Sequence, residues 1–177
     1  MTGQQHVERA GPGGVEVCVV TLSEAWRSLP DAEAVAERAA RAAIAHAGCS
    51  EPCEVSVALY DDGEVRALNA QYRGQDKPTN VLSFVNGQML ADGQGRVFLG
   101  DVIVAYTTMV MEARREDKPA LDHLSHLVVH GVMHLLGYDH ETDEEAVRME
   151  AKEVEALASL GVPDPYRRQD ALEPEAA

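Results

Sequence analysis

The stretch "HGVMHLLGYDH", His130–His140, carries three histidines at steps of four and six residues. Residues four apart lie one above the other on a helix face, so His130 and His134 can approach one ion together. Gly137 can end the helix, because glycine tolerates positive φ. The chain can then reverse and bring His140 to the same ion. The stretch therefore predicts a metal site at the end of a helix.

The spacing of this stretch is that of a catalytic zinc site. Three neutral imidazoles leave the fourth tetrahedral position open, as in zinc enzymes. The pattern matches the metzincin motif H-E-x-x-H-x-x-G-x-x-H except that Gly131 replaces the glutamate. In those proteases the glutamate takes a proton from the water at the zinc, so a protease is a poor interpretation here. Imidazole ligands favour zinc, although nickel or copper would also bind.

Further polar residues surround the histidine motif. His123 and His126 continue the same helix face, and each is more typical of a supporting group than of a ligand. Asp101 and Asp139 are candidates to support the metal site or handle protons. Both have structural alternatives, which are hydrogen bonding at a strand end for Asp101 and turn capping for Asp139.

A second cluster lies in "RALNAQYRGQDKPTNVLSF", residues 66–84. This polar segment leads directly into the strand predicted at 81–85. Arg73 is the residue of most interest, since a guanidinium group matches phosphate and can balance the charge that develops on it. A solvated surface arginine is the ordinary alternative. The polar side chains of this segment could hold a loop against the metal cleft.

Hydrophobic periodicity predicts the secondary structure. Strands are expected at 15–22, 53–60, 81–85 and 97–106, and helices at 31–48, 61–73, 107–116, 119–136 and 143–160. Pro119 is expected at the first helical position, and 86–96 as a mobile, hairpin-like loop. This order predicts a single α+β domain: a mixed sheet of about four strands packed with helices, with a metzincin-like zinc helix.

Length and composition suit one globular domain. The chain has 177 residues, 45% of them hydrophobic, without an apolar run approaching the roughly 20 residues of a membrane span. Its start does not resemble a secretory signal, and its three cysteines have no framework spacing, so we expect a cytoplasmic protein. Residues 1–14 and the acidic 168–177 are expected to be flexible tails around a domain at 15–167.

The net charge of −15 argues at first against a nucleic-acid partner. Its distribution weakens that objection. From residue 141 onward there are eleven acids against four bases, whereas residues 66–79 have a balance of +2. Local charge matters more than the total for an enzyme that contacts only a few phosphates.

Taken together, these stretches resemble the YbeY family of bacterial rRNA maturation endoribonucleases. The matching blocks stand in the family's order and are "LNAQYRGQDKPTNVLSF" (68–84), "LGDVIV" (99–104), "HGVMHLLGYDH" (130–140), the acidic helix "DEEAVRMEAKEVEALASLG" (143–161) and "DPY" (164–166). The resemblance implies that His130, His134 and His140 are the metal ligands. It also implies that Arg73 is a functional residue in the cleft.

The resemblance further implies a single-strand-specific endoribonuclease with one Zn²⁺ per chain. It would act in small-subunit rRNA 3′ end maturation, ribosome biogenesis and ribosome quality control. Expected partners are rRNA, the small ribosomal subunit, ribosomal proteins and assembly factors, without membrane or DNA. The sequence leaves open whether a water or the RNA's own 2′-hydroxyl attacks. The alternative function is a non-catalytic, zinc-containing ribosome assembly factor.

Overall fold

A computed structural model gives the structure of the protein and describes residues 14–86 and 95–167. These residues form four strands and five α-helices. The strands are β1 (Val15–Thr21), β2 (Cys53–Tyr60), β3 (Val81–Val85) and β4 (Val97–Ala105). The helices are α1 (Ala32–His46), α2 (Asp62–Arg73), α3 (Tyr106–Arg115), α4 (Ala120–Leu135) and α5 (Asp143–Ser159). A short 3-10 helix, Glu24–Ser28, precedes α1.

The strands form one mixed sheet in the order β1-β2-β4-β3. β1, β2 and β4 run parallel, and β3 pairs antiparallel with β4 and lies at an edge of the sheet. Parallel strands need crossover connections, which α1 and the segment containing α2 and β3 provide. The structure confirms the predicted single α+β domain with a four-stranded mixed sheet.

Helices cover both faces of this sheet. α1, α4 and α5 pack together on one face, where the larger core includes Ile44, Val57, Val102, Val128 and Leu157. α2 covers the other face through a smaller core built around Val65, Leu82 and Ile103. No helix in the described part of the chain has the length and apolar character needed to span a bilayer.

The predicted elements are confirmed to within two residues at each end. One detail was wrong: Pro119 is the N-cap of α4, with ψ of 135°, and the helix begins at Ala120. The 3-10 helix was not predicted. It forms because Ser23 caps it and Trp26 is buried, where its indole N–H donates to the carbonyl of Tyr60 at 2.9 Å. Most of the predicted loop (87–94) and both predicted tails (1–13 and 168–177) lie outside the described residues.

Two glycines end the helices that carry the candidate site. Gly74 follows Arg73 directly, with φ of +66°, and Gly137 follows α4 with φ of +89°. Left-handed backbone of this kind is readily adopted by glycine and ends a helix. Arg73 is therefore held at the last turn of α2, and the chain turns sharply after α4 towards His140.

Candidate functional site

The three histidines of the motif meet at the C-terminal end of α4. His130 and His134 come from the helix and His140 from the turn that follows, and their candidate ligand atoms all lie within 4.8 Å of one another. The Nε2 atoms of His130 and His134 are 3.2 Å apart. Tetrahedral zinc with Zn–N distances of about 2.0–2.1 Å requires nitrogens about 3.3–3.4 Å apart. The group is therefore shaped to hold a metal ion.

The hydrogen bonds of the two helical histidines fix which ring nitrogen is free. His130 Nδ1 lies 2.7 Å from a carboxylate oxygen of Glu153, and His134 Nδ1 lies 3.0 Å from the carbonyl of Tyr138. Both oxygens accept, so each Nδ1 must donate. Each Nε2 then presents a lone pair, and two lone pairs at 3.2 Å repel unless a cation binds them. The donor set fits a metal.

Burial, followed by the neighbouring His130 and His140 rings, lowers the pKa of His134 below its ordinary value. The imidazole of His134 is therefore neutral near neutral pH, which is the protonation state that a metal requires.

Glu153 of α5 supports His130 from behind. Its side chain is fully buried, and besides His130 it contacts His126 Nε2 at 3.3 Å and accepts a hydrogen bond from the Tyr166 hydroxyl. Burial by itself would raise the pKa of Glu153, but the hydrogen bonds from His126, His130 and Tyr166 outweigh it and lower the pKa to about 2. A charged carboxylate behind a ligand histidine orients the ring and makes it a better ligand.

A separate polar group lies at the other end of the histidine face. His123 Nε2 and the amide of Asn80 both contact the same carboxylate oxygen of Glu112, at 2.9 and 3.0 Å. Asn80 also lines the cleft into which the three histidines of the motif open, and its side-chain oxygen accepts from the N–H of Val81 at 2.7 Å. The buried His123 is thus paired with an acid from α3 and does not join the metal group.

The histidines open into a cleft of about 530 Å³. Arg73 lies on its wall, where the guanidinium donates to the carbonyl of Ser83 at 3.3 Å. Among the described residues no carboxylate pairs with Arg73, so its charge is available to an anion. The structure therefore brings Arg73 and the histidine group into one cleft, although they lie about sixty residues apart in the chain.

The sequence of this chain matches a known family over most of its length. The family model described as "Endoribonuclease YbeY" matches residues 22–161. The chain belongs to the YbeY endoribonuclease family. The Endoribonuclease YbeY of Azorhizobium caulinodans is 50% identical over 154 residues, covering 86% of this chain and 96% of the relative. That of Rhodopseudomonas palustris (strain HaA2) is 52% identical over 162 residues, covering 86% and 82%.

Among solved structures, the solution structure of TM1509 from Thermotoga maritima is similar. It has 25% sequence identity and a TM-score of 0.48, and the match covers 86% of this chain and 99% of that one.

Gly131 has a steric explanation in this YbeY-family chain. A Cβ atom added there would lie 2.6 Å from Cγ1 of Val102 and 3.1 Å from Oγ of Ser83, which itself donates to the Gly131 carbonyl. Helix α4 thus approaches the sheet too closely for any side chain. The position that carries the base in metzincins faces β4 here, and a glutamate does not fit.

The remaining predicted site residues differ in their position relative to the histidine cleft. Asp139 lines the cleft, and its carboxylate caps the turn by accepting from the N–H of His140 at 2.8 Å. His126 contacts Glu153 and Tyr166. Asp101 pairs with Phe84, on the sheet face opposite the face on which Val102 meets α4. The structure therefore does not bring Asp101 together with the histidines.

Glu153 and Tyr166 were missed as site residues in the sequence. One signal was available for Glu153. It shares a helical face of α5 with Met149, Ala156 and Leu157, which are buried. A carboxylate on an apolar helix face needs a buried partner. For Tyr166 the signal was its place in the matching block "DPY" (164–166), which did not indicate its contact, because that contact depends on how the chain folds back after α5.

Proposed function

We propose that this chain is a zinc-dependent endoribonuclease that cleaves single-stranded RNA, with one Zn²⁺ held by His130, His134 and His140. The observation that supports the proposal most directly is that these histidines share one open cleft with Arg73, which has no carboxylate partner among the described residues. A metal site beside a free cation suits a substrate whose reacting group is an anionic phosphate. Membership of the YbeY family supports the same conclusion.

Each residue has a distinct task in this proposal. When bound, the zinc ion supplies Lewis acidity next to the phosphate. Glu153 and the Tyr138 carbonyl keep the two helical imidazoles in the ligand tautomer. Arg73, held at the edge of β3 by Ser83, binds the phosphate and balances the charge that grows on it during cleavage.

We propose that the substrate in the cell is rRNA, at the 3′ end of the small-subunit rRNA, and that the protein takes part in ribosome biogenesis and quality control in the cytoplasm. Family membership supports this assignment. The net charge of −15 favours basic ribosomal proteins or assembly factors as partners over naked RNA. We therefore expect weak activity on free RNA. The nuclease domain would span 15–167.

A non-catalytic assembly factor, in which zinc only stabilises the fold, is the second candidate. Structural zinc sites use four protein ligands and are closed. The group found among the described residues has three members, and His140 is exposed. This openness favours catalysis.

The deciding experiment compares zinc content and single-stranded RNA cleavage in four proteins: wild type, His134→Ala, Arg73→Ala and Arg66→Ala. Arg66 is the matched control, since it lies in the same segment but is paired with Asp76 at 2.7 Å. We expect Arg73→Ala to keep about one zinc and lose about 100-fold in kcat. His134→Ala should lose zinc and activity but remain folded, and Arg66→Ala should resemble wild type. Unchanged activity in Arg73→Ala, with unfolding of His134→Ala, would favour the assembly factor.

A further inference from the structure

Tyr72 is the most exposed aromatic residue in the described part of the chain, at 62%. It belongs to the face of α2 that packs on the sheet through Val65 and Leu68, but it lies one turn beyond them, where the core ends. Its ring contacts Phe84 edge-to-face, with centroids 5.3 Å apart and planes at 66°. Phe84 thus holds the ring in place and leaves most of its surface to solvent. The core does not explain an aromatic ring here.

This aromatic pair borders the candidate catalytic cleft. Arg73, the next residue, reaches across the edge of β3 to the Ser83 carbonyl and lines the cleft. On β3, Ser83 and Val85 point towards the cleft and Phe84 points to the opposite face, under Tyr72. A ligand that passes from the histidines over Arg73 and across the strand edge therefore meets the Tyr72 ring next.

The charges around the ring suit an anionic strand. Arg73 has no acidic partner among the described residues, and neither does Lys77. The backbone of Lys77 is held near the end of α2, because its carbonyl accepts from the Asn69 side chain at 2.8 Å. Single-stranded RNA alternates a phosphate with a flat base, and proteins bind it by pairing cations with exposed aromatic rings. An apolar protein partner would instead favour a wider apolar patch without flanking cations.

We propose that the exposed ring of Tyr72, supported by Phe84, is a stacking site for an unpaired nucleobase of the RNA substrate. The base belongs to a nucleotide that flanks the phosphate bound at the histidines and Arg73. This inference rests on the proposed function, because it assigns a second contact for the same strand. It also gives a physical reason for preferring single strands, since a base within a duplex is stacked on its neighbours and cannot reach the ring.

The test measures steady-state cleavage of a single-stranded RNA by zinc-loaded protein. Tyr72→Leu keeps the apolar volume but removes the ring, and Tyr72→Phe restores it. Leu22→Ala is the matched control, because Leu22 is similarly exposed (56%) and follows β1 at the opposite edge of the sheet. Circular dichroism checks that each variant is folded. A series of substrates, each lacking one base, locates the stacked nucleotide.

We expect Tyr72→Leu to raise KM by about 5- to 150-fold, which is the range for one lost base–aromatic stack. Tyr72→Phe should recover most of that loss, and Leu22→Ala should behave as wild type. In wild type, one abasic position should raise KM by a similar factor. In Tyr72→Leu the same position should make no further difference, because the stack is already absent.

The results that would contradict the stacking site at Tyr72 differ from those that would contradict the proposed nuclease activity. If wild type cleaves RNA and Tyr72→Leu has the same KM, the stacking site is wrong and the nuclease stands. Weakened association of that variant with small ribosomal subunits would then assign the ring to a ribosome contact. If Tyr72→Phe is as impaired as Tyr72→Leu, the hydroxyl is what matters, and stacking is again wrong. Wild-type protein that cleaves no RNA, free or ribosomal, removes the proposed function and the stacking site with it.

Discussion

Replacing Gly131 with alanine tests the close approach of α4 to the sheet. Alanine is favoured over glycine inside a helix by about 1 kcal/mol, so on helix propensity alone the variant should be more stable. The new methyl group, however, would lie 2.6 Å from Cγ1 of Val102, which is fully buried, so the surrounding side chains must shift. Overpacking of this kind costs about 1–3 kcal/mol. Because the overlap is severe, we expect Gly131→Ala to lose about 1–2 kcal/mol in net stability.

The sign of this effect should reverse when Val102 is shortened. Val102→Ala removes both Cγ atoms that meet the added Cβ and leaves the Ser83 hydroxyl oxygen at 3.1 Å, a tight contact that a shift of a few tenths of an ångström relieves. In that background Gly131→Ala should raise stability by up to about 1 kcal/mol, since only the helix preference remains. The two substitutions are thus coupled by about 2–3 kcal/mol.

Urea denaturation of the four zinc-free proteins, followed by circular dichroism at 222 nm, measures each unfolding free energy. An equal loss from Gly131→Ala in both backgrounds would refute the steric explanation. So would a gain in the wild-type background, and glycine would then have to be explained by the chemistry of the cleft.

Two further predictions concern buried and capping carboxylates. Glu153→Gln should destabilise the zinc-free protein by about 3 kcal/mol near neutral pH, because a pKa of about 2, against 4.5 in the unfolded chain, is worth about 1.36 kcal/mol per unit. This contribution is fully present above pH 4.5 and is lost as the pH falls towards 2, so the stability difference between Glu153→Gln and wild type in urea melts should vanish at low pH. Glu155 is exposed, and the control variant Glu155→Gln should stay within about 0.5 kcal/mol of wild type at every pH. Asp62→Ala should cost about 1–2 kcal/mol in the same assay, since Asp62 accepts from the N–H groups of the first turn of α3. Asp31→Ala is its control, because Asp31 stands at the N-cap of α1 without a side-chain cap bond, and equal losses in the two variants would contradict the capping argument.

The elements of the fold were predictable because local pattern determines them. Alternation in β2, alanine spacing in α1 and the glycine after α4 each act over a few residues. Pairing between strands was not predictable at that level. The insertion of β4 between β2 and β3 depends on contacts across the whole chain, and it decides which face of the sheet each β4 side chain occupies.

Asp101 illustrates that limit. It is near the histidine block in the family's order of motifs, but the strand register turns it to the opposite face of the sheet. Gly131 illustrates a second limit of the sequence. The sequence shows that the metzincin glutamate is missing, but the steric reason is the close contact with Val102, which belongs to β4. The metal group itself was predictable, because His130 and His134 are one helical turn apart and His140 follows a short turn.

The contacts of Glu153 have a consequence for the order in which the protein matures. All three histidines are synthesised by residue 140, but the carboxylate that orients His130 comes with α5, and the hydroxyl that binds this carboxylate is at Tyr166. A nascent chain that still lacks these residues has the metal-binding histidines but not the side chains that orient His130. Since domains fold as their chain emerges, the complete centre forms only after Tyr166 has been synthesised. Shortening the chain before Tyr166 would therefore alter the centre itself, although that residue lies outside the motif.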